Sequence, residues 1–311
     1  MTGIQVADAD APPSTPPRAP ATRRRRGRGT RSGVTLKSRI LVTAGLAVAA
    51  VYFLVPVYWL AVSATKSSSD LFGSFGLWFS DPQPLENLER VFTFNDGIYA
   101  RWLLNSALYA GVGALFATLF AGMAGYALAK YRFRGREALF NIILGGVLVP
   151  STALALPLYL MLSSADMSNT YWSVLLPSMV TPFGVYLSRI YAAAAVPDEV
   201  IEAARVDGAG EFRIFFTFGL RIMSPALITI FLFQFVDIWN NYFLPLVMLS
   251  DQELYPITLG LTTWQAFADR QPILYQLTVG GAFVSVIPLM VAMVVLQRFI
   301  RAGITEGSVK G

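Results

Sequence analysis

The 311-residue sequence contains no cysteine and no histidine. Without cysteine the chain cannot form disulfide bonds or use a thiol nucleophile, and without either residue it lacks the usual ligands of zinc. It also lacks histidine, the side chain that most often moves protons near neutral pH. Enzymes and metal proteins that depend on these groups are therefore excluded.

Charged residues are scarce as well, at 14% of the chain against about 25% in soluble domains. Hydrophobic residues make up 55%, and the mean hydropathy is +0.54. Several apolar runs approach the roughly 20 residues that a helix needs to cross a bilayer. We therefore predict an all-α polytopic membrane protein with six transmembrane helices, near residues 40–62, 102–128, 138–162, 171–193, 223–248 and 277–300.

The first 38 residues are rich in proline, alanine and arginine, including the run Arg23–Arg26. Few apolar residues and a block of like charge predict a disordered segment. Such a tail beside an anionic inner leaflet orients the first helix, and a nucleic-acid-binding arm is the alternative. We expect a cytoplasmic tail over 1–38, a transmembrane domain over 39–311, and no nucleic-acid partner.

The distribution of lysine and arginine predicts the orientation of the six helices. Taking the tail as inside, the inner segments hold twenty such residues and the outer loops hold four. This is a strong positive-inside bias, so both termini are expected in the cytoplasm. A group of aromatic residues then falls at the outer ends of spans, as in an aromatic belt: Tyr58, Trp59, Trp102, Tyr171 and Trp172.

A short polar segment, residues 196–208, separates the fourth and fifth spans and reads as a helix outside the membrane. Pro197 suits the first helical turn, and Asp198 and Glu199 lie where the helix dipole favours negative charge. Gly208 is a natural left-handed stop. Four residues share one face: Val200, Ala203, Ala204 and Asp207. The two alanines would let a partner approach closely; the alternative is an amphipathic surface helix with no partner.

The segment Glu202–Gly208 reads Glu-Ala-Ala-x-x-x-Gly and is accompanied by further motifs along the chain. These are Asn105-Ser106, Gly125–Gly135, Val149–Ser151, Pro157–Leu160, Asn169–Tyr171, Trp239-Asn240, Phe243–Pro245, Leu249–Asp251, Gln297–Phe299 and Val309–Gly311. Residues 38–311 resemble the permeases of binding-protein-dependent ABC importers, in particular the shorter permease of the maltose-system type in the carbohydrate-uptake subfamily. Where that family continues its loop with Ile-x-Leu-Pro, this chain has Phe218 to Arg221, so Pro225 is expected to help the chain turn back.

The resemblance implies a division of labour between subunits. The chain has no Gly-x-x-x-x-Gly-Lys-[Ser/Thr] loop, so ATP and Mg²⁺ are expected on two partner ATPase subunits and no cofactor on this chain. A sister permease and an extracytoplasmic solute-binding protein are the other implied partners. The loop of residues 194–222 is expected to couple to an ATPase, with Glu202 meeting a basic group and Ala203 and Ala204 packing on its surface beside Asp207 and Gly208.

Polar residues in the fifth span are candidates for a solute pathway. A charge at mid-membrane costs about 2.5–3.5 kcal/mol on insertion scales, so Asp237 is expected to face a polar cavity. Three amide residues, Gln234, Asn240 and Asn241, share its face, and Trp239 is adjacent. Carboxylates and amides bind sugar hydroxyls, and an aromatic ring packs on a sugar face. The alternative is that these groups only bond neighbouring helices.

Three rival functions are weighed against a carbohydrate importer. An ion-coupled transporter or channel would use several intramembrane ionisable groups, and the spans offer one carboxylate. A membrane-embedded enzyme would need a metal cluster, a nucleophile–base pair or paired carboxylates, which the spans lack. The same fold could import a glycerol-phosphate ester, but a phosphate favours Arg or Lys in the path.

Overall fold

The computed structural model describes residues 36–306, with side chains described from Ser38 to Leu296. Within this range the chain is helical, with short 3₁₀ and π turns and no strand. The helices are α1 Leu36–Thr65, α2 Ser68–Gly73, α3 Pro84–Thr93, α4 Ile98–Lys130, α5 Arg136–Gly146, α6 Ser151–Ser164, α7 Tyr171–Ser178, α8 Pro182–Ala195, α9 Asp198–Val206, α10 Glu211–Ile214, α11 Leu220–Ile222, α12 Ser224–Asn240, α13 Phe243–Met248, α14 Ile257–Phe267 and α15 Ile273–Glu306. Residues 1–35, which hold nearly all of the predicted disordered tail, lie outside this range, so the division at residue 38 stays a prediction.

The chain divides after Tyr52 into two compact units. The described part of the first unit is the N-terminal portion of α1, whose side chains are exposed and mostly apolar. The second unit begins at Phe53 and contains every other helix. All the predicted site residues belong to this second unit.

By length and composition, three described helical stretches could each cross a membrane: Ser38–Thr65, Pro84–Lys130 and Ile273–Leu296. Three bent pairs bring the number up to six: Arg136–Gly146 with Ser151–Ser164, Tyr171–Ala195 with Asp198–Val206, and Glu211–Ile222 with Ser224–Asn240. The first pair bends by 102° within the third span predicted over 138–162, so no single straight helix covers that range. Pro150, which directly precedes α6, lacks the N–H that would continue a helix across the break.

Helix α14 falls between the fifth and sixth predicted spans, where the sequence patterns predicted no element. It is shorter than a span, yet Ile257, Leu261 and Trp264 are buried where it packs against α4 and α15. At Gly260 a Cβ would lie 2.1 Å from Cε3 of Trp102, so the indole occupies the space that only a glycine leaves. Trp102 is therefore buried inside the protein, and its placement in an aromatic belt is wrong.

Several residues of the quoted motifs hold the segment 250–257 by its backbone. The Asn105 amide donates to the carbonyls of Glu253 and Tyr255, at 2.7 and 3.0 Å. The Ser106 hydroxyl accepts from the Ile257 N–H at 2.7 Å, and Asn169 Oδ1 accepts from two further N–H groups of this segment. These motif residues therefore fix an irregular segment whose polar groups would otherwise be unpaired.

Candidate functional site

Helix α9 lies at 79° to the helical stretch that precedes it, Tyr171–Ala195. It begins at Asp198 directly after Pro197, with Asp198 and Glu199 in its first turn as predicted. Gly208 has φ +78°, which confirms the predicted left-handed stop. The Gly208 N–H donates to Arg205 and the Ala209 N–H donates to Ala204, both at 2.9 Å. This pair of bonds is the Schellman arrangement, which satisfies the last carbonyls of the helix.

The predicted common face of α9 is divided by the structure. Ala204 is buried beside Ile201 in an apolar cluster that includes Tyr126 and Phe215, so the expectation that it faces a partner is wrong for this chain. Ile201 and Ala204 are three residues apart and therefore share the inward side of the helix. The other predicted coupling residues are exposed: Glu202, Ala203, Asp207 and Gly208.

The return of the loop into the next span is sharp. Residues Phe215–Gly219 form a π turn, and the axis changes by 80° between Glu211–Ile222 and Ser224–Asn240. Pro225 is the second residue of α12, where its missing N–H leaves no hydrogen bond broken. Pro225 therefore lies at the turn into α12, as expected for a chain that has Arg221 where the family has a proline.

A lysine at the end of α4 contacts the entry to α9. Lys130 Nζ donates to the Val196 carbonyl at 2.6 Å and to Asp198 Oδ1 at 2.7 Å. Its side chain is 6% exposed, whereas that of Asp198 is 74% exposed. The hydrogen bond from Lys130 lowers the pKa of the Asp198 carboxyl. The turn between α8 and α9 is thus held from a third helix.

Glu211, near the middle of the loop, is held by a residue of α9. Glu211, the first residue of α10, accepts from Arg205 Nε at 2.7 Å and from the second guanidinium nitrogen at 3.2 Å. Tyr131, directly after α4, lines the same pocket as this carboxylate. Arg205 and, to a smaller degree, Tyr131 lower the pKa of Glu211. Burial, helped by Glu211, raises the pKa of Tyr131.

Two apolar side chains project beside the exposed face of α9. Val206 is 88% exposed and Phe212 is 72% exposed. An open polar pocket of about 690 Å³ borders the same helix and is lined in part by Arg132 and Glu202. Exposed apolar residues next to polar ones mark contact surfaces for other proteins. Val206 and Phe212 were not predicted from the sequence as site residues. Both are apolar residues close to the predicted turn at Gly208, and that position could have identified them.

The candidate solute-pathway residues do not act as one group. The Gln234 amide donates to Thr181 Oγ1 at 2.9 Å, and Asn241 Oδ1 accepts from the Leu244 N–H at 3.2 Å. Trp239 is 3% exposed, and its ring stacks on Phe235 with the centroids 5.7 Å apart. The Gln234 bond links α12 to the residue before α8, whereas the Asn241 bond is local to the start of α13. Because Trp239 is buried and packs on its own helix, its expected place on a pathway is wrong.

Asp237 and Asn240 remain available on the surface of this chain. They are three residues apart near the C-terminal end of α12 and therefore lie on one side of it. The Asn240 amide nitrogen donates to the Val236 carbonyl at 2.8 Å, and its oxygen accepts no hydrogen bond from a described residue. A carboxylate and an amide oxygen at this spacing can accept hydrogen bonds from hydroxyl groups.

Residues 114–306 match the family model described as the binding-protein-dependent transport system inner membrane component. The chain belongs to this family. The permease is 32% identical to the arabinooligosaccharides transport system permease protein AraQ of Halalkalibacterium halodurans, over 87% of this chain and 96% of that protein. It is 28% identical to the melibiose/raffinose/stachyose import permease protein MelC of Bacillus subtilis, over 90% of this chain and all of that one.

A solved structure supports the fold of the permease. It is a crystal structure of a bacterial ABC transporter involved in the import of the acidic polysaccharide alginate, with a TM-score of 0.73 at 22% identity. The match covers 85% of this chain and 98% of that one. The family and the apolar helices together make the permease a multi-pass membrane protein.

Proposed function

We propose that this permease is the transmembrane subunit of an ABC importer that moves a sugar or oligosaccharide into the cytoplasm. ATP and Mg²⁺ bind two separate ATPase subunits, a sister permease completes the channel, and an extracytoplasmic solute-binding protein delivers the solute. The observation that carries the proposal is the loop of residues 194–222, in which α9 begins after Pro197, ends at the left-handed Gly208 and lies at 79° to the helical stretch before it.

The exposed side of α9 has the chemistry of a docking site for an ATPase. Ala203 adds little bulk, so a partner surface can approach the helix backbone there, while Val206 and Phe212 supply apolar area. Glu202 makes no ion pair with any described residue and is free to meet a basic group of the partner. We therefore propose that α9 and both termini of the chain lie on the cytoplasmic side of the membrane.

Carbohydrate is the proposed cargo because relatives that match nearly the whole chain are named for oligosaccharide uptake. The pair Asp237 and Asn240 fits a solute rich in hydroxyl groups. A glycerol-phosphate ester remains the alternative within the same fold. It is disfavoured because no lysine or arginine occurs between Ser224 and Met248, where an anionic solute would need one.

Transport then proceeds by alternating access. The binding protein releases the sugar at the outer loops, and closure of the ATPases on ATP displaces α9 together with the corresponding part of the sister permease. α9 follows α8 after a short turn and is joined to α12 through α10, the π turn and α11, so its displacement is proposed to move both spans as rigid bodies. Hydrolysis and product release return the pair to its resting orientation.

The proposal is tested by reconstituting the purified four-subunit complex in liposomes with its binding protein and an arabinan-derived oligosaccharide panel. We expect uptake of at least one oligosaccharide only when ATP and Mg²⁺ are present on the side of the membrane where the ATPase subunits lie. A glycerol-phosphate ester serves as the competing solute. Uptake by the permease alone, or uptake driven by an ion gradient without nucleotide, would rule the importer mechanism out.

A further inference from the structure

The coupling loop, residues 194–222, is fastened at its entry to the end of α4, although α4 is distant from it in sequence. At the entry, Lys130 Nζ contacts the Val196 carbonyl and the Asp198 carboxylate. After α9, the Glu211 carboxylate accepts from Arg205 and lines one pocket with Tyr131. Lys130 thus contacts the start of α9, and the adjacent Tyr131 lies beside the start of α10.

The Lys130 contact is buried and has well-defined geometry. Its ammonium lies almost wholly inside the protein, yet two acceptors at 2.6 and 2.7 Å pair it. Surface ion pairs between two mobile side chains contribute little, because both chains must be ordered. Here the burial of Lys130 fixes one partner in advance, and the main-chain carbonyl of Val196 leaves the contact little freedom.

The helix that carries Lys130 is the most extensively packed in the described chain. α4 packs against α8 and α12, which are the spans on either side of the coupling loop. A displacement of α9 that reached only α8 and α12 would pass through the turn at residues 196–197 and through residues 207–223, which include α10 and α11. If the displacement is also transmitted by the Lys130 contact, it acts on α4 directly, and α4 then moves with the loop.

We propose that Lys130 is a positioning residue of the coupling apparatus, which makes α9 and α4 move as one body when the ATPases close. This inference rests on the proposed function, since it assumes that α9 receives the movement of an ATPase. Lys130 itself contacts neither nucleotide nor solute. Its role is to convert nucleotide-driven displacement into movement of the helix that forms the centre of this subunit.

The variant Lys130→Met removes the charge and both hydrogen bonds but keeps a long unbranched side chain. In the reconstituted complex, oligosaccharide transported per ATP hydrolysed is expected to fall by about fivefold or more, while the four subunits still co-purify. Asp198→Asn, at an exposed position, is expected to lower the same ratio by a smaller factor without affecting folding. Arg134→Met is the matched control, because Arg134 is an exposed cation of the neighbouring loop with no ion pair to a described residue.

A distance measurement decides the matter independently of the cargo. Since the chain has no cysteine, spin labels at Glu199→Cys and Arg132→Cys report the separation of α9 from the end of α4. We expect one narrow distance that is the same without nucleotide and with a non-hydrolysable ATP analogue, and a broad, nucleotide-dependent distribution after Lys130→Met. A distance that changes with nucleotide in the otherwise unaltered permease, or an unchanged transport-to-hydrolysis ratio in both Lys130→Met and Asp198→Asn, overturns the inference. Loss of ATP-driven uptake by the unaltered complex would instead refute the proposed function.

Discussion

The backbone of α4 meets α8 at Gly125, where a Cβ would lie 2.4 Å from Cβ of Ser188 and 2.6 Å from the main-chain nitrogen of Arg189. Ser188 is fully buried at this crossing. Small residues let membrane helices approach closely, and the lipid supplies no hydrophobic force that would hold them together otherwise. The close approach of α4 to α8 therefore depends on the absence of a side chain at residue 125.

Gly125→Ala is expected to lower the free energy of unfolding by about 1–3 kcal/mol, because the neighbouring atoms are a Cβ and two main-chain atoms, none of which can rotate away. The measurement is thermal unfolding of the purified permease in detergent. Gly111→Ala on the same helix is the control, since a Cβ there would have no atom within 4 Å. Equal unfolding temperatures for the two variants would contradict the close-packed crossing.

Ala203→Asp is expected to abolish ATP-driven uptake while the permease still inserts in the membrane. The added carboxylate would lie on the exposed side of α9, where an apolar approach by the ATPase is proposed. Gly208→Pro is expected to do the same, because proline cannot adopt φ +78° and would remove the N–H bonded to Arg205.

The measurements for these two variants are uptake, and co-purification of the ATPase subunits with a tagged permease. Ala138→Asp, at an exposed alanine in the first turn of α5, is the control for the added charge. Normal uptake by both Ala203→Asp and Gly208→Pro would remove α9 from the coupling mechanism.

Asp237→Asn is expected to change the rate or the order of preference across an oligosaccharide panel, because it removes the charged acceptor on the exposed side of α12. Uptake assays with competing sugars measure this. Trp239→Ala is the contrasting variant: since its ring is buried, we expect a loss of about 3–5 kcal/mol of stability and no selective effect on one sugar. An unchanged rate and preference in Asp237→Asn would assign Asp237 to packing.

The acid stability of the coupling loop follows from two lowered carboxyl pKa values. Asp198 and Glu211 both have their pKa lowered in the folded protein. Their contribution to stability is present above the ordinary carboxyl pKa of about 4 and is lost as the pH falls through the lowered values. The unfolding temperature of the permease is therefore expected to stay level from neutral to mildly acidic pH and to drop in strong acid.

The control is the double variant Asp198→Asn with Glu211→Gln. Because it lacks both carboxylates, its unfolding temperature is expected to drop less in strong acid. The chain has no histidine, so no side chain with an ordinary pKa titrates near neutrality. A marked stability transition between about pH 6 and 8 would contradict this account of the charges.

Much of the coupling loop could be predicted because its signals are local. Pro197, the acidic first turn and Gly208 specify the start and end of a helix wherever it packs. The inward position of Ala204 could not be predicted, because it depends on the apolar cluster around Tyr126 and Phe215. The same limit applies to Lys130, since nothing in the sequence links it to Asp198 across 68 residues.

The membrane region was predictable in outline but not in detail. Hydropathy identifies apolar runs, yet it does not distinguish a straight span from the 102° bend around Pro150. Nor does it identify α14, which is too short to cross a bilayer and is held by Trp102 against Gly260. The shared face of Gln234, Asp237, Asn240 and Asn241 was misleading, because two of these side chains bond protein groups that the helical period does not reveal.

The most direct test of the central claim is the sidedness of α9 and its contact with an ATPase. A single cysteine placed at Ala203 in the cysteine-free chain can be labelled with a membrane-impermeant maleimide. We predict labelling in inside-out vesicles but not in intact cells, and cross-linking of this cysteine to an ATPase subunit in the assembled complex. Labelling from the outside of intact cells would contradict the account, because α9 could not then receive the movement of a cytoplasmic ATPase.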